Sequence, residues 1–246
     1  MTAPTVAVFR PDDDRLAGTV AAIEARGGEP VADPMLSVEP TGARPRADAA
    51  FAVLTSKTGV ELAAEAGWDP GGATVCAIGP RTAGALEDAG YAVDVVPGEY
   101  TSGGLVEALA GAVDGRRVEV ARSDHGSPVL IDGLVEAGAY VHETILYRLV
   151  RPEGSGKSAE LAAEDRLDAA CFTSSLTVDH FLEAAEARGL GEAAREGLDS
   201  AVVGAIGEPT ERTATDRGIA VDVVPSEATA EALVEAVLAR LEGADR

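Results

Sequence analysis

Ala77-Ile78-Gly79-Pro80-Arg81-Thr82, followed by Val93-Asp94-Val95-Val96-Pro97 and Leu105-Val106-Glu107-Ala108, is written twice in this chain. The second copy reads Ala205-Ile206-Gly207-Glu208-Pro209-Thr210, then Val221-Asp222-Val223-Val224-Pro225 and Leu233-Val234-Glu235-Ala236. Every element is displaced by 128 positions, and 18 of the 32 aligned residues are identical. In each copy an apolar strand end meets a glycine turn and a helix start, then a short apolar strand and a second helix. The duplication therefore specifies two similar α/β units, with a ligand expected in a cleft between them.

The repeat extends upstream. Val53-Leu54-Thr55-Ser56 matches Cys171-Phe172-Thr173-Ser174 at an offset of 118, so the second copy carries ten extra residues before its Ala-Ile-Gly element. Val6-Ala7-Val8-Phe9-Arg10 resembles Val118-Glu119-Val120-Ala121-Arg122. Equal parts result only if the N-terminal strand joins the C-terminal half. One domain is then residues 1–37 plus 150–246 and the other residues 41–146, with linkers 38–40 and 147–149 forming a two-stranded hinge. Strand and helix periodicities alternate throughout, which predicts parallel sheets. Five strands per domain fit two flavodoxin-like, doubly wound α/β domains of order 2-1-3-4-5, in which ligands sit beyond the carboxyl ends of the strands. The strand after each glycine-turn helix is expected at 92–95 and 220–223.

A formal charge of −22, with Lys57 and Lys157 the only lysines, resembles the composition of proteins from salt-loving cytoplasms. There carboxylates hold water and cations, and a Debye length of about 3 Å at 1 M salt screens their repulsion. Such a surface argues against nucleic acid and anionic membranes as partners. An anionic substrate needs a local arginine or backbone N–H site. The N-terminus has no signal-peptide pattern and no run reaches the roughly 18 apolar residues of a membrane span, so a cytoplasmic location is expected. Cys76 and Cys171 read as buried free thiols, and His125, His142 and His180 are scattered singly, so no metal centre is expected.

The chemistry-bearing residues gather at the predicted strand ends. These are Arg10-Pro11 and Arg122-Ser123-Asp124, then Thr55-Ser56 and Thr173-Ser174-Ser175, then Gly79-Pro80-Arg81-Thr82 and Gly207-Glu208-Pro209-Thr210. Hydroxyls and glycines at helix starts expose N–H groups to an anion, although the same residues serve as ordinary caps. Paired catalytic carboxylates, a nucleophile–base–acid trio and a metal cluster are all missing from the pattern, so the expected chemistry works by holding a reactive substrate in shape. Gly154-Ser155-Gly156-Lys157-Ser158 looks like the end of a P-loop, but Arg151 replaces its first glycine and Pro152 interrupts it, which leaves a flexible linker. Asp12-Asp13-Asp14 begins to look like a receiver-type acidic pocket. No lysine follows at a later strand end, so the run reads as a cap on the first helix.

Taken in order, these stretches resemble the uroporphyrinogen-III synthase family. The resemblance rests on Phe9-Arg10-Pro11, Leu54-Thr55-Ser56, Ala77 to Thr82, Val96-Pro97 with Thr101-Ser102-Gly103-Gly104-Leu105, Arg122-Ser123-Asp124, Tyr147-Arg148, Phe172-Thr173-Ser174-Ser175 and Ala205-Ile206-Gly207. It implies a cofactor-independent lyase that closes hydroxymethylbilane, a linear tetrapyrrole, into uroporphyrinogen III with inversion of ring D and loss of water. The implied route loses the terminal hydroxyl to give an azafulvene, closes to a spiro-pyrrolenine, then fragments and recloses. The resemblance makes Tyr147 the residue that helps the hydroxyl leave. It makes Thr55, Ser56, Ser174 and Thr210 cleft donors to the substrate, and Thr82, Ser123 and Thr173 at the same strand ends are further substrate-binding candidates. Arg10 and Arg122 are candidates for side-chain carboxylate contacts, and Lys57 and Ser175 sit at the rim. Glu208, where the first copy has Pro80, would repel an anion at that turn. A monomer is implied, with substrate handed over from the preceding enzyme. A non-catalytic two-domain binder of an anionic small molecule remains the alternative.

Overall fold

The computed structural model describes residues 3–11 and 14–244; Asp12 and Asp13, read above as a helix cap, lie outside the described residues. In chain order the elements are β1 (Thr5–Phe9), α1 (Asp14–Glu24), β2 (Glu29–Ala32), β3 (Ser37–Pro40), β4 (Phe51–Leu54), α2 (Lys57–Glu65) and β5 (Thr74–Ala77). Then come α3 (Pro80–Asp88), α4 (Ser102–Leu109), β6 (Arg117–Ser123), α5 (Pro128–Glu136) and β7 (Tyr140–Val150). The chain closes with α6 (Lys157–Ala163), β8 (Ala169–Phe172), α7 (Ser175–Ala187), α8 (Gly191–Ser200), β9 (Val202–Ala205), α9 (Glu208–Asp216) and α10 (Ala230–Ala244). The fold is α/β, and it divides into two compact units, Met1–Ser37 with Val150–Arg246, and Val38–Leu149.

In the first unit β2-β1-β8-β9 form one parallel sheet. Its strands are apolar at successive positions because both faces are covered. Val6 and Val8 pack with Leu16, Ile23, Leu233 and Val237 on one side. Ala7 and Phe9 alternate to the other side, against Phe172, Phe181 and Leu198. In the second unit the order is β3-β7-β6-β4-β5. Val53, Val118 and Val120 meet Leu105, Leu109, Leu130 and Leu134. Ala52, Leu54 and Ala121 meet Val60, Trp68 and Leu86.

The expectation of five strands per domain is corrected in two ways. The first sheet has four, and the fifth strand of the second is β3 on the crossing segment. The segments 92–95 and 220–223 are each reduced to a single bridge, Cys76 to Val95 and Gly204 to Val223. The cause is the same in both copies. The carboxylates of Asp94 and Asp222 accept the N–H groups of Val75 and Val203, at 2.7 and 2.8 Å, where a longer strand would use backbone. Pro97 and Pro225, two residues past each bridge, bring no N–H to extend the pairing.

The Gly154–Ser158 stretch, read as a linker, instead folds into the start of α6. Asp33, 3% exposed just past β2, directs its carboxylate at this turn. It accepts the N–H groups of Gly156 and Ser158, both at 2.8 Å, and the Ser158 hydroxyl. The chain's own carboxylate thus occupies the donor cradle that a P-loop would offer to phosphate, and it satisfies the amino end of α6. The ten extra residues of the second copy form α8, a helix the apolar pattern did not reveal. It packs on α6 so closely that a Cβ at Gly197 would lie 1.8 Å from the Ala162 carbonyl oxygen.

Both thiols are buried. Desolvation pushes Cys171 up to about 12, and desolvation, with the Asp94 carboxylate adding to it, pushes Cys76 up to about 12. An unfolded thiol ionises near its ordinary value of 9.0, so the folded state holds more protons between pH 9 and 12. The thiol contribution to stability is therefore complete below pH 9 and is lost as pH rises toward 12. We expect a thiol reagent at pH 8 to label neither cysteine in the native protein and both after denaturation; labelling of the native protein at the rate of an exposed cysteine contradicts this burial.

Candidate active site

In the second unit the end of β6, β7 at Tyr147 and the turns past β4, β5 and β6 enclose an open pocket of about 210 Å³ lined by Thr55, Ser56, Ile78, Ser102, Arg122, Ser123, Gly126, Ser127, Leu130 and Tyr147. Three lining hydroxyls belong to helix starts. Ser56 is the N-cap of α2, Ser102 is the first residue of α4 and Ser127 is the N-cap of α5. Helix amino ends carry partial positive charge and unshared N–H groups, so they favour an anion even in a chain of −22.

A register break sets the far wall. β6 and β7 run parallel with Arg122 opposite Ile145, but the next pair is Ser123 with Tyr147. The extra residue in β7 breaks the two-residue alternation, so the consecutive Leu146 and Tyr147 both reach the core cluster beside Leu54 and Val60. Asp124 ties down the chain past the break, accepting the Leu149 N–H at 3.0 Å and pairing with His125 at 2.9 Å. Burial raises its pKa, but the bonds from His125 and the Leu149 N–H outweigh that and hold the carboxyl below its ordinary range.

Tyr147, 7% exposed, donates its hydroxyl to Ser56 Oγ at 3.0 Å. Ser56 Oγ also accepts the Gly59 N–H at 3.0 Å as the cap of α2. Both lone pairs of the serine oxygen are then occupied, which leaves its own proton as the group to give. Arg122 is 7% exposed and held by two bonds of 2.5 Å, from Nε to Glu143 and from Nη1 to the Ser127 carbonyl.

Five of the residues expected from sequence thus meet in one pocket: Thr55, Ser56, Arg122, Ser123 and Tyr147. Thr82 does not line it; it is 4% exposed in the first turn of α3. The remaining expected residues belong to the first unit. Arg10 donates from Nη1 to Thr19 Oγ1 at 3.0 Å, bracing β1 against α1. Thr173 donates to the Phe9 carbonyl. Ser174 forms a capping box with Thr177 at the start of α7. Thr210 is 3% exposed in the first turn of α9, and the exposed Glu208 pairs with Arg212 at 2.6 Å. Of the rim pair, Lys57 bridges to Glu61, and Ser175 donates to the Pro209 carbonyl. Among the described residues no three His, Cys, Asp or Glu side chains are placed to share a metal ion, and no helix is long and apolar enough to cross a membrane.

Ser102 and Ser127 are pocket residues that the strand-end pattern does not single out. A signal for Ser127 is present, a serine before Pro128 at a helix start following β6. The sequence description of one family, "Uroporphyrinogen-III synthase HemD", matches residues 17–235. The chain belongs to the uroporphyrinogen-III synthase family. A provisionally assigned member from Methanothermobacter thermautotrophicus is 34% identical over 94% of this chain and 96% of its own. Another, from Archaeoglobus fulgidus, is 30% identical over 75% of this chain and 77% of its own. Among solved structures, a mutant family synthase from Thermus thermophilus superposes with a TM-score of 0.69 at 22% identity, covering 98% of this chain and all of that one. The Helicobacter pylori family protein gives 0.65 at 14% identity, covering 97% and 99%. At these identities the superpositions speak for the fold, and family membership rests on the sequence match.

Proposed function

We propose that this chain is a cyclising lyase that converts hydroxymethylbilane to uroporphyrinogen III, inverting ring D and releasing water. The observation that carries the reading is the family match over residues 17–235. The pocket chemistry supports it. At about 210 Å³ it has room for one substituted pyrrole rather than four, so it takes the end of the substrate that bears the hydroxymethyl group. Tyr147 and Ser56 form a donor chain toward that group, and the Ser56 proton bonds to the departing hydroxyl as the C–O bond breaks. Thr55, Ser123 and the outer N–H groups of Arg122 receive carboxylates. Arg10, Thr82, Thr173, Ser174 and Thr210 join the carboxylate-binding set in this reading. Holding the reactive chain in one conformation supplies most of the selectivity, because the substrate closes without help to the other isomer.

The finer reading of the fold is two flavodoxin-like domains, 1–37 plus 150–246 and 41–146, acting as a monomer in the cytoplasm with substrate received from the preceding enzyme. The acidic surface is read as an adaptation to high salt. The deciding experiment supplies fresh hydroxymethylbilane to the purified protein, with and without molar KCl, and separates the oxidised uroporphyrin isomers. Isomer III in excess is the expected result. Isomer I alone from folded protein overturns the reading and favours a binder without chemistry.

A further inference from the structure

Arg122 is more tightly constrained than a surface arginine needs to be. Its Nε donates to Glu143 and its Nη1 to the Ser127 carbonyl, both at 2.5 Å, while its side chain is 8% exposed. Its guanidinium also lies over Gly126, where an added Cβ would sit 2.5 to 2.7 Å from Cδ, Nη1 and Nε. A neighbouring strand, the cap residue of α5 and a side-chain-free position therefore converge on one arginine. Fixing so long a side chain costs rotamer entropy, which these contacts offset. Two of its five N–H groups are used, and the other three have no protein partner among the described residues. Glu143 does not line the pocket and keeps 37% of its side chain exposed.

We propose that Glu143 is a positioning residue: it fixes the Arg122 guanidinium so that its outer N–H edge receives one carboxylate of the substrate in a single orientation. Planar, forked donors recognise carboxylate by geometry, and the Glu143 charge balances the arginine so that geometry rather than net field selects the ligand. The inference rests on the lyase reading for the identity of the carboxylate. Its mechanical part, the hold on Arg122, stands on the contacts alone.

The test measures binding of uroporphyrinogen III, the octacarboxylate product, by fluorescence quenching under anaerobic conditions, alongside KM, kcat and thermal midpoint. Glu143→Gln keeps an acceptor for Nε without the charge. Glu143→Asp keeps the charge but shortens the reach, and Glu143→Ala removes both. We expect Glu143→Gln to bind within about twofold of wild type. Glu143→Asp and Glu143→Ala should weaken binding and raise KM about tenfold, the worth of one well-made charge-assisted contact, with kcat unchanged. Wild-type affinity in Glu143→Ala, or an equal loss in Glu143→Gln and Glu143→Ala, overturns the proposal. If wild type binds the tetrapyrrole and the variants follow the expected pattern without isomer III being formed, the lyase reading falls and the role of Glu143 stands. No binding by wild type overturns the role of Glu143, while formation of isomer III decides the lyase reading separately.

Discussion

An Asp33→Ala chain is expected to lose on the order of 3–5 kcal/mol of unfolding free energy. The carboxylate is 3% exposed and accepts three donors, the N–H groups of Gly156 and Ser158 and the Ser158 hydroxyl. Alanine leaves all three without a partner where water reaches poorly, since Ser155 is 6% exposed and Ser158 fully buried. It also removes a negative charge from the amino end of α6. The loss spreads through packing, because α6 supports α8 through the close approach of Gly197 to Ala162, and Ala159, Ala162, Ala194 and Leu198 share one core cluster with Phe9 and Phe172. Asp33→Asn keeps one acceptor oxygen and should lose about half as much. Urea unfolding monitored by circular dichroism decides it: the midpoint should fall at an unchanged m-value. A stability within about 0.5 kcal/mol of wild type for Asp33→Ala would mean that α6 is capped by something other than this carboxylate.

Asp33 also marks where reading the sequence stops. The duplication was legible because helix starts, the Val-Asp-Val strand and the return helix recur at one spacing, and each is a local signal. The ten-residue excess of the second copy was equally plain, but its helical form was not. Gly191-Glu192-Ala193-Ala194-Arg195-Glu196-Gly197 carries little apolar periodicity, and Gly197 is there for contact with another helix. Gly154–Ser158 has the composition of a linker and becomes structured because a carboxylate 123 residues away in sequence satisfies its donors. The same division holds in the pocket. Thr55, Ser56, Arg122 and Ser123 stand at strand ends, and Tyr147 on the last strand of its unit, places the sequence locates. Glu143 could be assigned to Arg122 only once the register of β6 on β7 was known, and the break between Ile145 and Tyr147 shifts that register by a residue. Composition alone did not foretell that Arg10 also bonds to Thr19, Thr173 to the Phe9 carbonyl and Ser174 to the first turn of α7.

Tyr147→Phe is expected to fold normally and to turn over about 100-fold more slowly, the lower end of what a positioned proton donor contributes. The ring stays in the cluster with Leu54, Val60 and Leu146, so packing is kept and the missing hydrogen bond costs about 1 kcal/mol. Ser56 still accepts the Gly59 N–H, so the cap on α2 survives. What changes is the serine itself. With the tyrosine proton bound to it, Ser56 Oγ has one direction left for its own proton; without it, the hydroxyl turns between donor and acceptor roles. Ser56→Ala removes the donor and the cap together, costing about 1 kcal/mol of stability and at least as much rate as Tyr147→Phe. The double variant separates a chain from two independent donors. If Tyr147 acts through Ser56, its loss adds nothing once Ser56 is gone, and the double variant matches Ser56→Ala. Multiplying effects would place Tyr147 on the substrate directly, and a wild-type rate in Tyr147→Phe would remove it from the reaction. Isomer ratios sharpen the reading: a slower enzyme that still makes isomer III has lost help for the leaving hydroxyl. One that leaks isomer I has lost its hold on the intermediate, and the donor chain predicts the first.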